Sequence, residues 1–251
     1  MLLAIGSSHL TALLSGFKLY CRENPAPFEL QHLQLQKPVY KPFLRRQDDE
    51  IVYNSRLREE LAAAIAADGV ERIVCCIGGA VHTVVGLVNN PRPFDLLLPE
   101  STVDDTAAGA DIIPYDLVAA SIRRRAAMQV HLLRLVMMLA GGLPVVQLCP
   151  PPPVARDDLI LGSPSSFAEE LAEHGVAPAP LRWKLWRTYC NVVAEVCNEL
   201  GARCLAAPPR CLDQAGFLRE EFWGADPTHA NAQYGVLVVE QLLHSMAGVP
   251  A

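Results

Sequence analysis

Short apolar runs alternate along the chain with longer stretches of helical periodicity. Residues 2–6 (LLAIG) form a continuous apolar run of the length of a strand buried on both faces, and residues 9–20 repeat apolar positions at helical spacing. FELQHLQLQ, near 28–36, alternates apolar with polar positions and predicts a further strand. NSRLREELAAAIAAD opens on Asn54 or Ser55 as a helix cap, continues in strong helix formers and stops before Gly69. ERIVCCIGG is a β-branched run that closes on a glycine pair. Beyond it, residues 115–139 predict one long helix, LPVVQLC a fourth strand, residues 181–200 a helix closed by Gly201, ARCLAA a fifth strand, and residues 230–246 a final helix.

Strands and helices in alternation predict an α/β fold, a mostly parallel five-stranded sheet with helices on both faces. In an open sheet of this kind, ligands bind beyond the carboxyl ends of the strands. That rule gathers four segments onto one edge: Ser7, Ser8 and His9 after the first strand, Gly78 to His82 after the third, Pro150 to Pro153 after the fourth, and WGADPTHANAQYG after the fifth.

At 251 residues, without a charge-rich or Gly/Ser-rich linker, the chain is expected to be a single domain over 1–251. A hydrophobic content of 51% argues against disorder, and a net charge of -6 gives no electrostatic reason to expect nucleic acid. The expected partner is a small or neutral molecule. The N-terminus lacks a positive region ahead of its apolar residues, so it does not resemble a signal peptide. MQVHLLRLVMMLAGGLPVVQL is interrupted by His131, Arg134, a glycine pair and Pro144, which predicts a buried helix followed by a strand rather than a membrane span. A cytoplasmic protein is therefore expected, and nothing in the sequence specifies its oligomeric state.

Eight cysteines raise the question of metal or disulfides, and Cys190, Cys197, Cys204 and Cys211 recur every seven residues. No C-x-x-C pair exists, and the four fall on a helix, a strand and a loop, so no metal site is expected. They are expected to be reduced packing residues, as are Cys75 and Cys76.

The chemistry concentrates at the two ends. In DPTHAN, Asp226 precedes His229 by three positions, a spacing that lets the carboxylate hold one ring nitrogen and leaves the other free as a base. The alternative is that Asp226 or Thr228 caps the last helix. In GSSH, Ser7 or Ser8 could cap the first helix, or Ser8 could be a nucleophile on a tight strand-to-helix turn. A serine hydroxyl needs a base to take its proton, so each end supplies what the other lacks.

In IGSSH, IGGAVH and DPTHAN the chain resembles the SGNH (GDSL-type) hydrolase superfamily, block by block and in the same order over nearly its whole length. The resemblance implies a flavodoxin-like three-layer α/β/α sandwich without a cofactor. It implies an acyl ester as substrate, with acetyl and carbohydrate esters in view, and assigns Ser8 as nucleophile, His229 as general base and Asp226 as its orienting partner. Ser7 stands where the superfamily usually has Asp, and Ala80 where it has the Asn whose amide donates to the oxyanion. No glycine lies between Gly16 and Gly69 to supply the second-block donor. The oxyanion donors then expected are the Ser8 N–H, the backbone N–H groups around Gly79, and His82. A ligand-binding protein without activity and an acyltransferase are the alternative outcomes.

Four further features remain open in the sequence. TVVGLVNNPRPFDLLLPE either lines or covers the acyl pocket or is an irregular packed loop. CPPPP is expected to build a rigid wall, in preference to an SH3-type ligand. Trp183 and Trp186 share a helix face and are expected in the core, whereas Trp223 is placed to stack on a sugar ring. Taken singly, His9 and His82 read more readily as structural residues, His9 held at a helix start for packing or capping.

Overall fold

The structure, a computed structural model, describes residues 1–102, 105–163 and 166–246. In chain order its first half comprises β1 (Leu2–Gly6), α1 (Leu10–Glu23), β2 (Leu30–Gln34), β3 (Leu44–Gln47), β4 (Glu50–Tyr53), α2 (Ser55–Ile65), β5 (Arg72–Cys76), α3 (Val81–Gly86), β6 (Phe94–Leu96) and β7 (Asp111–Ile113). There follow α4 (Tyr115–Arg125), α5 (Ala127–Ala140), β8 (Val145–Leu148), α6 (Asp157–Gly162), α7 (Ala168–His174), α8 (Ala179–Leu200), β9 (Arg203–Leu205) and α9 (Ala232–Met246). Five strands form the central sheet in the order β2-β1-β5-β8-β9, and every pairing is parallel. The order reverses between β1 and β5, so the loops leaving these strands diverge and open a crevice at their carboxyl ends.

The period of two along each strand divides the core. Leu2, Ala4, Val74 and Val146 face one layer, where α1 and α9 cover them. Leu3, Ile5, Ile73 and Val145 face the other, against α2 and α5. This is the three-layer α/β/α sandwich. Local sequence signals fix several boundaries. Asn54 caps α2, its Oδ1 accepting from the Leu57 N–H at 3.1 Å, and Gly201 ends α8 in the left-handed conformation at φ 75°.

The long helix expected over 115–139 is two. Ala126 leaves helical geometry (ψ 2°) between α4 and α5. Val118 and Ile122 of α4 pack into a cluster with Leu181 and Leu185 of α8, whereas Leu132 and Val136 of α5 pack on the sheet. The two apolar faces address different surfaces, so the helix axis must turn. A hairpin, β3–β4, also forms as a separate two-stranded antiparallel sheet, outside the five strands expected above. Its turn places Asp48 (φ 47°) and Asp49 (φ 64°) in the left-handed region, a conformation that short polar side chains tolerate.

Two interactions govern how the layers are held. Helices α1 and α9 approach backbone to backbone at Gly16 and Gly235. A Cβ on Gly16 would lie 2.1 Å from the Gly235 carbonyl carbon, and one on Gly235 only 1.9 Å from the Ala12 oxygen. Gly235→Ala is therefore expected to lose about 1–3 kcal/mol to overpacking despite alanine's better helix propensity. The check is urea unfolding beside Gly162→Ala, a site with nothing within 4 Å, which should keep the wild-type midpoint. Beneath α8, Asp95 of β6 and Lys184 form a buried ion pair, Nζ lying 2.9 and 3.0 Å from the two carboxylate oxygens. Among the described residues, no helix is long and apolar enough to cross a membrane.

Candidate active site

The chain turns sharply after β1. Gly6 is required there, since a Cβ would lie 2.7 Å from Cys76 Cβ and 2.8 Å from the Cys76 oxygen. The Ser7 N–H donates to the Cys76 carbonyl at 3.3 Å, and the Ser7 and Ser8 carbonyls accept from Leu10 and Thr11, both at 3.1 Å. His9 occupies the cap position of α1 and no side chain caps that helix, so neither serine hydroxyl is used for capping. Ser8 instead lines a cleft of about 490 Å³ at the carboxyl edge of the sheet.

The loop before α9 contributes the facing groups. Asn231 caps α9, its Oδ1 accepting from the Gln233 and Tyr234 N–H groups at 2.9 and 3.2 Å. Neither Asp226 nor Thr228 has that task. His229 Nδ1 lies 2.9 and 2.8 Å from the two oxygens of Asp226, a geometry that suits the Nδ1–H tautomer, in which Nδ1 donates to the carboxylate and Nε2 is the acceptor. Asp226 also accepts from the Thr228 N–H at 2.8 Å, the Thr228 hydroxyl at 2.7 Å and the His229 N–H at 3.1 Å. Burial opposes charge on this carboxylate, but the Thr228 hydrogen bonds and then those of His229 outweigh it and hold its pKa below the ordinary value.

Sequence reasoning passed over the importance of two neighbours. Thr228 is the clamp that orients Asp226. His9 lies beside His229, ring centroids 4.9 Å apart and tilted by 41°. Burial, followed by the adjacent His229, lowers the His9 pKa to about 4, with Asp226 acting in the opposite sense. No sequence signal marked this pairing, because residues 9 and 229 meet only through the α1–α9 contact.

Leu148, Cys149, Pro150 and Pro151 form a predominantly apolar wall as the chain leaves β8. Trp186 fixes it, donating from Nε1 to the Pro150 carbonyl at 3.2 Å, and both Trp183 and Trp186 pack with the core. Trp223 lines the cleft, its Nε1 bonded to the Leu218 carbonyl at 2.8 Å and the Arg156 guanidinium 5.8 Å from its ring. Residues 83–100 do not line this cleft. They supply α3 and β6, and Asp95 ties this segment to α8.

The expected oxyanion donors separate. Ser8 faces the cleft, and its N–H has no backbone acceptor among the described residues. The Gly79 N–H donates at 3.0 Å to the Tyr189 hydroxyl, and Gly78 rather than Gly79 lines the cleft. His82 is buried, its ring 5.7 Å from that of Tyr189, beside a separate cavity of about 20 Å³ shared with Pro227 and Thr228. Burial, then His9, pushes the His82 pKa down to about 3. All eight cysteines are free, and among the described residues no group of His, Cys, Asp and Glu is arranged to hold a metal ion.

Both depressed histidines carry a consequence for stability. Below the ordinary imidazole value of 6.5 the unfolded chain takes up protons that folded His9 and His82 refuse until about 4 and about 3. The unfolded state then binds more protons, so their contribution is full above 6.5 and is lost as pH falls through that window. The urea midpoint is expected to be lower at pH ~5 than at pH ~7, and His82→Gln should narrow the gap.

No protein-family model and no curated protein matches the chain. Solved structures do. The periplasmic domain of the lipopolysaccharide acetyltransferase from Salmonella ser. Paratyphi A matches 98% of this chain and 83% of its own, at 11% identity and a TM-score of 0.52. A protein provisionally described as a platelet activating factor from Streptococcus pneumonia matches 98% of this chain and 83% of its own, at 13% identity and a TM-score of 0.51. At these identities the likeness is one of fold, the three-layer α/β/α sandwich described above.

Proposed function

We propose that the protein is a cytoplasmic serine-dependent enzyme acting on small acyl esters, carbohydrate esters included, with Ser8 as nucleophile, His229 as base and Asp226 as orienting carboxylate. The observation that carries this reading is one cleft with largely apolar walls, lined by Ser8 and by a histidine whose Nδ1 is held at 2.8 and 2.9 Å by a carboxylate. Ser8 Oγ attacks the carbonyl carbon while His229 Nε2 takes its proton. The tetrahedral oxyanion collapses, the C–O bond to the alcohol breaks, and His229 returns the proton to the departing oxygen. Water, deprotonated by the same nitrogen, then releases the acyl group from Ser8. Asp226 stays ionised throughout and stabilises the imidazolium.

The apolar walls suit the acyl side of an ester. Trp223 offers an aromatic surface to the alcohol side, with Arg156 near its ring. A second reading, a ligand-binding protein on the same fold, draws on Ala80 and on the Gly79 N–H already bonded to Tyr189, which weaken the oxyanion side. Aryl esters of graded acyl length, together with a fluorophosphonate probe, separate the two. Turnover with one phosphonate on Ser8 supports the enzyme, and an added alcohol that captures the acyl group would make it a transferase. Neither turnover nor labelling leaves the binding protein.

A further inference from the structure

By the resemblance drawn from the sequence, Ala80 stands where a side-chain amide would donate to the oxyanion, and the Gly79 N–H is engaged by Tyr189. We propose that His9 supplies the missing donor, a ring N–H taking the place of that amide beside the Ser8 backbone N–H. The assignment rests on the proposed serine mechanism.

Placement supports it first. His9 follows the nucleophile in sequence, lines the same cleft and stands 4.9 Å, centroid to centroid, from the ring of His229. The loop after β5 is shaped around its imidazole. A Cβ on Gly79 would lie 2.3 Å from His9 Cδ2 and 2.4 Å from its Nε2, and Gly79 adopts φ +120°, a backbone conformation that L side chains rarely adopt. The next residue, Ala80, is short. The ring therefore lies against the loop whose usual amide is missing.

Hydrogen bonding and charge agree with that placement. Neither ring nitrogen of His9 has a hydrogen-bond partner among the described residues. A neutral imidazole has one N–H to donate, and burial keeps His9 neutral far below pH 7, its pKa lying at about 4. Neutrality matters because a cationic His9 would repel the imidazolium that forms on His229. A neutral ring instead polarises the developing oxyanion through a hydrogen bond, with no proton changing owner.

The test compares wild type with His9→Ala, His9→Phe, His9→Asn and His9→Gln, using the aryl ester the wild type turns over best. Phenylalanine keeps a ring against His229 without an N–H, while asparagine and glutamine place an amide near the former Nδ1 and Nε2. The expected result is a fall in kcat of about 100- to 1,000-fold for Ala and Phe, with KM little changed and most of the rate regained in Asn or Gln. Urea midpoints show which variants retain the fold, and the two amide variants decide the matter if Ala or Phe is unstable. Wild-type kcat in Phe, or equal loss in Asn, Gln and Ala, would overturn the donor role and leave the serine mechanism standing. A wild type that neither turns over esters nor takes phosphonate on Ser8 would remove the mechanism, and this assignment with it.

Discussion

Ser8→Ala is expected to lower kcat on the order of 10⁶-fold while leaving ligand affinity almost unchanged. The size follows from the order of events. Without the hydroxyl no acyl-enzyme forms, and His229 has no proton to take, so the residual rate is what the cleft and its oxyanion donors give to direct attack by water. His229→Ala should cost nearly as much, and the double variant scarcely more, because the two residues act as one device. Affinity is spared because Ser8 Oγ makes no hydrogen bond to any described residue, so its removal strands no partner. Ser7→Ala is the companion control and should keep turnover. Steady-state rates with intact-mass measurement after phosphonate treatment decide the outcome. Label retained in Ser8→Ala, or a rate within tenfold of wild type, would contradict the assignment.

Asp95→Ala is expected to destabilise the fold by about 3–5 kcal/mol, a larger effect than any surface substitution. Only 5% of the Lys184 side chain and 3% of that of Asp95 are exposed. The carboxylate also accepts from the Leu96 N–H at 2.7 Å and the Ala107 N–H at 2.8 Å, and Lys184 Nζ donates to the Asp105 carbonyl at 2.7 Å. Removing Asp95 would thus leave a buried ammonium and two backbone donors poorly matched. Asp95→Leu with Lys184→Met removes both charges at similar volume and should recover much of the loss. Urea unfolding of the single and double variants measures the difference; additive losses would show that backbone donors, not the uncompensated ammonium, carry the cost.

Much of the architecture was legible because it rests on local rules. The runs at 2–6, 72–76 and 145–148 have no polar face, which predicts strands covered on both sides, and Asn54 and Gly201 mark helix ends by their own chemistry. The Asp226–His229 contact was also readable, since three positions within one loop suffice to form it. What escaped depends on partners distant in sequence. The break at Ala126 follows from two helical faces meeting different clusters, and no periodicity within 115–139 contains that information. Gly79 was expected to offer its N–H to a ligand, but the Tyr189 hydroxyl, 110 residues away in sequence, accepts it. His82 was expected near the cleft, yet the turn of α3 carries it into a separate cavity.

The crossing of α1 and α9 at Gly16 and Gly235 also orders events during synthesis. Ser8 precedes the first of these helices, whereas His229 precedes the second and is translated 221 residues later. On the proposed assignment, a nascent chain on the ribosome therefore carries its nucleophile without the base that arms it until the loop before α9 has been made. On the proposed mechanism, hydrolysis begins only when α9 has emerged and docked on α1, so a truncated product with a well-formed sheet would remain chemically silent.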